Sequence, residues 1–144
     1  MKIKQFIGQF LLVIISTTAI AEDTQTCLGA AVTQTAMNQC TGIAYKEADA
    51  ELNRVYKKIV VRYQDNALFL KKLKKAQLAW IKLRDADFEL QYPHTDEANY
   101  YGSIFPMCAS NYKTQLTLQR VVFLKQWLLG LKEGDLCSGS KKSQ

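Results

Sequence analysis

The stretch Leu70–Leu90, LKKLKKAQLAWIKLRDADFEL, decides how this chain folds. Its apolar residues recur at steps of three and four, which gathers them on one face of an α-helix; they are Leu73, Ala76, Trp80, Leu83 and Leu90. The lysines lie mostly on other faces, so the helix is amphipathic and its tryptophan-bearing face is predicted to meet a core. Gln77, Arg84 and Asp87 lie on or beside that face, and polar groups buried there need partners from other segments.

A second long helix is predicted before this stretch. Thr33 is a suitable N-cap, and apolar residues continue at helical spacing from Met37 to Ile59, so the helix should run from about Thr33 to Tyr63. The polar residues 64–66 form the only break before the next apolar run and predict a tight turn. A connection this short makes the two helices antiparallel neighbours.

The central helix is predicted to end near Pro93, and a third helix to run from about Met107 to a C-terminal cap at Gly130. Residues 22–32 are expected to form an extended lead-in, and residues 131–144 a partly irregular tail that Cys137 ties down and that frays beyond it. The predicted fold class is therefore all-α, with three long antiparallel helices in one disulfide-stapled bundle.

The N-terminus has the three-part pattern of a secretory signal peptide. Two lysines precede the apolar run Phe6–Ile15, and Ala19-Ile20-Ala21 supplies a cleavage site. The run is shorter than the roughly 20 residues that span a bilayer. We therefore expect a signal peptide at residues 1–21, a single helical domain at residues 22–144, and a periplasmic or secreted protein with no membrane span after cleavage.

Composition excludes several classes of function. Removal of Lys2 and Lys4 with the signal peptide lowers the net charge from +6 to +4, and no run of five like charges remains, so no nucleic-acid partner is predicted. His94 is the only histidine, and no nucleophile–base pair, metal-ligand set or phosphate-binding loop is recognisable. The chain is predicted to be a binding protein that has no cofactor, no metal and no enzymatic activity.

Four cysteines in an exported chain predict two disulfides, which four residues can form in three ways; they are Cys27, Cys40, Cys108 and Cys137. A helix from Cys108 to Gly130 is about 33 Å long, while the segment from Gly130 to Cys137 reaches back roughly 24 Å. A Cys108–Cys137 bond is therefore disfavoured. Cys27–Cys108 together with Cys40–Cys137 fits this reach better.

Two groups of residues are candidates for function. Counting from the turns predicts a polar network between the helices, with Asn53 facing Gln77, Asp49 near Arg84, and Asp85 near Arg120 and Thr117. This network is interpreted as a device that fixes helix register rather than as an active site. The loop before Pro106 is the candidate for partner binding, through Tyr92, His94, Asp96, Glu97, Tyr100 and Tyr101. The alternative is an ordinary loop in which Tyr100 and Phe105 cap the core.

Several motifs together resemble the lysozyme inhibitor LprI-like family of small exported bacterial proteins. They are TQxxMNxC at residues 33–40, ADxxLNxxY at 48–56, AQxAWIxxRDA at 76–86, GSIxPM at 102–107, LTxxR at 116–120 and EGDL at 133–136. The family has cysteines where this chain has Asp87 and Tyr112. A hydrogen bond between these two residues is expected to replace that bridge, and Cys108 and Cys137 to enter a pairing that the family does not predict.

The resemblance implies inhibition of lysozyme or another peptidoglycan-cleaving enzyme, with a protein as partner. Lysozymes are usually basic, so a protein of charge +4 gains no long-range attraction and needs a local acidic patch. Asp96 with Glu97, or Glu47 with Glu51, are the candidates for that patch. The alternative function is an envelope structural or assembly factor that binds another exported protein or the cell wall without inhibiting lysozyme.

Overall fold

A computed structural model describes residues 17–131, 134 and 136–142. It contains four helices, α1 (Thr17–Ala30), α2 (Gln34–Arg62), α3 (Ala67–Gln91) and α4 (Phe105–Lys125), and no strand within these residues. The predicted all-α class is confirmed, but the number of helices is four rather than three. The difference is α1, which forms where the sequence predicted an extended lead-in.

The signal peptide remains a prediction. Residues 1–16 lie outside the described part of the chain, and α1 begins at Thr17 and continues across the predicted cleavage point. None of the helices in the described part combines the length and the apolar character that crossing a bilayer requires.

The ends of α2 and α3 are close to the predicted ones because local caps determine them. The Thr33 side chain accepts a hydrogen bond from the amide of Ala36, and the Asn66 side chain accepts one from the amide of Phe69. Each bond satisfies one of the unpaired donors of a helix N-terminus. The α2–α3 connection is accordingly a tight turn at residues 63–66, as the polar break predicted.

The hydrophobic core lies chiefly between α2 and α4, with one fully buried residue from α3; its members are Leu52, Val55, Ile59, Tyr63, Leu73, Val121 and Leu124. The face of α3 predicted to meet a core is only partly buried. Leu73 is buried and Trp80 half-buried, but Leu83 and Leu90 are exposed. Because α3 packs on α4 and meets α2 mainly near the turn, its inner face is rotated toward Gln77 and Arg84.

The disulfide connectivity predicted from chain reach is wrong. Cys27 bonds to Cys40, with their Cα atoms 5.8 Å apart. The reach estimate took the lead-in to be extended and directed it toward Cys108. Because α1 is a helix that folds back on α2, Cys27 lies beside the second turn of α2 instead. The staple therefore joins α1 to α2 and does not tie α4 or the tail to the bundle.

The C-terminal segment folds back onto the molecule. The backbone N–H of Lys142 donates to the Tyr63 hydroxyl at 3.0 Å, and its Nζ lies 2.7 Å from Oδ1 of Asp65 in the α2–α3 turn. Nε1 of Trp127 donates to Oγ of Ser140 at 3.1 Å. The predicted fraying beyond Cys137 is therefore wrong for residues 138–142, because side chains of the bundle hold this segment.

Candidate partner-binding loop

The loop that joins α3 to α4, residues 92–104, is a series of tight turns. Its backbone amides bond to carbonyls three residues earlier, as from Glu97 to His94 and from Tyr100 to Glu97, both at 3.2 Å. Asn99 and Gly102 have positive φ values of 62° and 70°, in the left-handed region that asparagine and glycine tolerate best. The loop is therefore a compact series of hydrogen-bonded turns and not an extended segment.

The inner side of the loop is an aromatic cluster. The ring of Tyr92 makes edge-to-face contacts with Tyr101, Phe105 and Tyr112 at centroid distances of 5.5, 5.3 and 6.1 Å. Tyr101 also stacks on Phe105 at 5.0 Å. Such ring pairs stabilise a fold beyond the area that they bury. Desolvation, followed by the nearby Cys108 thiol, raises the pKa of the Tyr92 hydroxyl. This cluster closes the end of the α3–α4 pair.

The outer side of the loop is polar and open to solvent. His94 and Tyr100 stack with their ring centroids 4.2 Å apart, and Nδ1 of His94 lies 2.6 Å from Oε1 of Glu97. Tyr100 is 55% exposed, and Asp96 is exposed beside this stack. Aromatic area with adjacent carboxylates therefore projects from one end of the molecule.

Two hydrogen bonds fix the loop in place. The Tyr101 hydroxyl accepts from the backbone N–H of His94 at 3.1 Å, which joins the two ends of the loop. Nδ2 of Asn38 on α2 donates to the carbonyl of Ser103 at 3.0 Å, which joins the loop to the bundle. Sequence reasoning did not assign Asn38 to this site, although the residue belongs to the quoted motif at residues 33–40. Its contact spans 65 positions, so no local pattern indicates it.

The six residues named from the sequence thus divide into two layers. Tyr92 and Tyr101 belong to the inner cluster, where they do what a capping loop does. His94, Asp96, Glu97 and Tyr100 belong to the outer layer, where a partner has access to them. The capping alternative therefore describes the inner layer, although Tyr100 is exposed and does not cap the core. Partner binding by the outer layer stays a prediction.

The predicted polar network has different pairings. Nδ2 of Asn53 bonds to Asp49 one turn earlier on α2, and Arg84 forms an ion pair with the adjacent Asp85 at 2.7 Å. Nε of Arg120 donates to Oε1 of Gln77 at 3.0 Å. The expected contacts across α2 and α3 are wrong because α3 packs on α4. The interhelical bond of this set therefore joins α3 to α4.

Arg120 lies in an aromatic setting between these two helices. Its guanidinium lies 5.6 Å from the Trp80 ring centroid and 4.9 Å from that of Phe123, within the range of a cation–π contact. Nη2 of Arg120 is buried and has no hydrogen-bond partner, and desolvation lowers the pKa of this guanidinium. A cavity of about 210 Å³ adjoins it, lined in part by Phe69 and Trp127.

The Asp87–Tyr112 contact forms in another way than expected. The Tyr112 hydroxyl donates to the backbone carbonyl of Asp87 at 3.4 Å, not to the carboxylate. This distance is at the long end for an O–H donor, so the contact is weak. Packing of Tyr112 against Tyr92, rather than this bond, holds the C-terminal end of α3 near α4.

One of the two acidic patches considered from the sequence is excluded. Glu51 is 4% exposed and forms ion pairs with Lys125, at 2.8 Å, and with Arg54. A carboxylate that is buried and neutralised in this way cannot attract a basic partner. The loop acids Asp96 and Glu97 remain. Within the described residues, no group of histidine, cysteine or acidic side chains has the arrangement of a metal site.

Comparison with known proteins identifies the family. The family model described as "Lysozyme inhibitor LprI" matches residues 27–124, so the chain belongs to this family of inhibitor proteins. It is also similar to an uncharacterized protein of Rhizobium meliloti (strain 1021), with 39% identity over 107 residues, 67% of this chain and 74% of the relative. No solved structure shows a significant match. The matched region contains the disulfide, the Gln77–Arg120 bond and the whole aromatic loop.

Proposed function

We propose that this protein is an exported inhibitor of lysozyme or of another peptidoglycan-cleaving enzyme, and that it binds its target through the outer layer of the α3–α4 loop. The observation that carries the proposal is the stack of the exposed Tyr100 on the half-buried His94, beside the exposed Asp96 and Glu97 and supported on an aromatic layer. The family's description as lysozyme inhibitors supports the same function.

The chemistry of this layer suits the cleft of a glycosidase. Such a cleft contains a pair of catalytic carboxyl groups. The hydroxyl of Tyr100 is a hydrogen-bond donor that a carboxylate accepts, and the ring of His94, whose Nδ1 contacts Glu97, adds aromatic area beside it. Asp96 and Glu97, at the edge of the stack, are placed to meet the basic residues that surround the cleft of a basic enzyme. The loop would thus occupy the position of the substrate.

Rigidity of the loop contributes to this function. Binding costs less when the residues of the contact surface are already ordered. The turn hydrogen bonds, the Tyr101–His94 bond and the anchor from Asn38 order the loop in the unbound protein. Tyrosine adds rigid area with two side-chain torsions, as in antibody contact surfaces.

The test is a turbidity assay of cell-wall lysis, in which the purified protein is titrated against a panel of lysozymes. We expect saturable inhibition at near-stoichiometric amounts. Tyr100→Ala should weaken inhibition by about 30-fold or more, the effect of losing a hot-spot residue. The charge reversal Asp96→Lys/Glu97→Lys should also weaken inhibition, and the loss should be larger at low salt than at high salt.

A matched control is available on α2. Glu47 is an exposed acid away from the loop, so Glu47→Lys should leave inhibition unchanged. Asp96→Lys alone changes the net charge by as much as Glu47→Lys, so equal loss of inhibition in these two single variants would show that net charge, not the loop, governs binding. Intact inhibition in both loop variants would reject the loop as the binding surface.

Failure of the whole panel would favour the envelope-factor alternative. One observation supports that function. A basic groove runs along α2 and reaches the segment after α4; its lining residues are Arg54, Lys57, Lys58, Val61, Arg62 and Leu128. This groove suits an anionic polymer or an acidic protein. Salt-sensitive sedimentation with purified peptidoglycan, together with absence of lysozyme inhibition, would replace the inhibitor function by this one.

A further inference from the structure

The outer face of α3 carries an apolar seam that the described chain leaves uncovered. The seam consists of Ala76, Ala79, Leu83, Ala86 and Leu90, all of them exposed. Leu83 is 59% and Leu90 80% exposed, which is unusual for leucines at regular spacing on one helix. The steps between the five residues are three, four, three and four, the spacing of the a and d positions of a coiled coil.

The seam is distinct from the face that α3 uses within the molecule. The inner face presents Leu73, Gln77 and Arg84, which are buried or half-buried. The seam residues lie roughly a third of a turn away around the helix, at 100° per residue. The helix therefore has an inner face and a separate apolar seam, and the described part of the chain covers only the inner face.

Charge is distributed unevenly between the two halves of α3. The N-terminal half carries four lysines and no acid, at Lys71, Lys72, Lys74 and Lys75. The C-terminal half carries all three acids of the helix together with Lys82 and Arg84, and is net acidic. A second identical helix laid parallel would set the two lysine-rich halves against each other, whereas an antiparallel one sets each against a net acidic half. Like charges in contact are destabilising, so this pattern selects the antiparallel arrangement.

We propose that the seam is covered by a second copy of this chain, with the two α3 helices packed antiparallel about a two-fold axis. The surface is then its own partner, as in other isologous interfaces. This inference is independent of the proposed function, because the seam and the α3–α4 loop are separate surfaces.

One register satisfies both packing and charge. With the two-fold axis between Leu83 and Ala86, Leu83 faces Ala86 of the second copy, and Ala79 faces Leu90 of the second copy. Every central layer then pairs a large residue with a small one, which lets two helices approach closely and interdigitate. On the flank, Lys82 lies near Glu89 of the second copy, and symmetry repeats each of these contacts.

The neighbouring register is disfavoured. A shift of one heptad would place Lys82 beside Lys82 of the second copy. It would also place Leu90 opposite Lys72 of the second copy. The first contact opposes like charges, and the second leaves a leucine against a charged side chain. The sequence of α3 therefore specifies its register as well as its direction.

The expected dimer is reversible. In this register the paired layers run from Ala79 to Leu90, about 17 Å of helix at 1.5 Å per residue. An interface of this length belongs to the small class, below about 1,200 Å² of buried surface. We therefore expect monomer and dimer to exchange, with the dimer populated at high protein concentration.

Sedimentation velocity of the purified protein over a concentration series tests this proposal. The wild type should show a concentration-dependent monomer–dimer equilibrium. Leu83→Lys should raise the dissociation constant by about 30-fold or more, because it places a charge in the central layer. Leu78→Lys is the matched control, since Leu78 is also an exposed leucine of α3, 52% accessible, but lies outside the seam.

A charge exchange tests the register. Glu89→Lys should raise the dissociation constant about 5-fold at low salt, because it opposes Lys82 of the second copy. Lys82→Glu combined with Glu89→Lys restores the pairing and should recover the wild-type constant. A protein that stays monomeric throughout, equal effects of Leu83→Lys and Leu78→Lys, or failure of the double exchange to recover dimerisation would each overturn the proposal.

Discussion

At the scale of single residues, the hydrogen bond between Gln77 and Arg120 is the contact whose removal has the clearest expected effect on stability. Gln77 accepts a hydrogen bond from Nε of Arg120, while Nη2 of Arg120 is buried without a hydrogen-bond partner among the described residues. A partly buried cation is costly when its remaining polar contact is removed, and much less costly when the charge itself is replaced by an apolar group.

The first stability prediction concerns this pair. Gln77→Leu should lower the free energy of unfolding by about 1–3 kcal/mol, because it leaves Arg120 without a polar partner. Arg120→Met keeps the contact with the rings of Trp80 and Phe123, and the double variant should recover most of the loss. Urea denaturation of the two single variants and the double variant measures the coupling. Additive losses in the double variant would contradict this account.

At the scale of helices, sequence reasoning succeeded where local chemistry determines the result. The Thr33 cap and the polar break at residues 64–66 fixed the ends of α2 and the start of α3. It failed for α1 (Thr17–Ala30), which packs on α2 and is joined to it by the Cys27–Cys40 bond, because local sequence does not indicate these contacts. It also took Leu83 and Leu90 as core residues, because the spacing of apolar residues identifies a face but not its partner. Packing of α3 on α4 is a tertiary choice that no local pattern encodes.

The candidate site shows the same division. Tyrosines and carboxylates concentrate before Pro106, and the structure has a loop there between α3 and α4. Its role in binding stays a prediction. Which tyrosines face inward was not predictable, since stacking of Tyr101 on Phe105 and the anchor from Asn38 depend on the folded loop. The predicted pairings of the polar network failed for the same reason, because they assumed that α3 packs along the length of α2.

The disulfide supports a prediction about α1. Replacement of both Cys27 and Cys40 by alanine should release this helix, because the bond links it to α2 and is worth about 3 kcal/mol for a loop of this length. Amide hydrogen exchange should show loss of protection in residues 27–30 while the core around Ile59 stays protected. Cys108→Ala is the control and should leave α1 protected. Unchanged exchange in α1 of the double variant would show that packing alone holds it.

At the scale of the whole molecule, the return of the C-terminal segment to the α2–α3 turn connects distant parts of the chain. The hydrogen bond from Lys142 is the main cause that lowers the pKa of the Asp65 carboxyl below its ordinary 3.8. The pKa of Asp65 in the folded protein is thus depressed. The contact with Lys142 therefore stabilises the docked segment fully at pH values above the ordinary pKa of 3.8. The contribution is lost as the pH falls through the folded-state pKa.

Acid should therefore weaken the docking of the C-terminal segment, because protonation of Asp65 removes its contact with Lys142. We expect the NMR signal of the Trp127 indole N–H, which bonds to Ser140, to be constant near neutral pH and to shift below about pH 4. Asp65→Asn removes the titrating group, so the same signal should lose this pH dependence. A titration in Asp65→Asn that matches the wild type would assign the change to another carboxyl group.

The position of the Cys27–Cys40 bond has a consequence for the order in which the protein assembles. Only 13 positions separate the two cysteines. Chains are synthesised from the N-terminus, so this loop can close before α3 and α4 have emerged. Since α1 packs on α2, the two can form an oxidised hairpin without waiting for the later helices. We therefore expect formation of this bond to be a local event that does not depend on the core between α2 and α4.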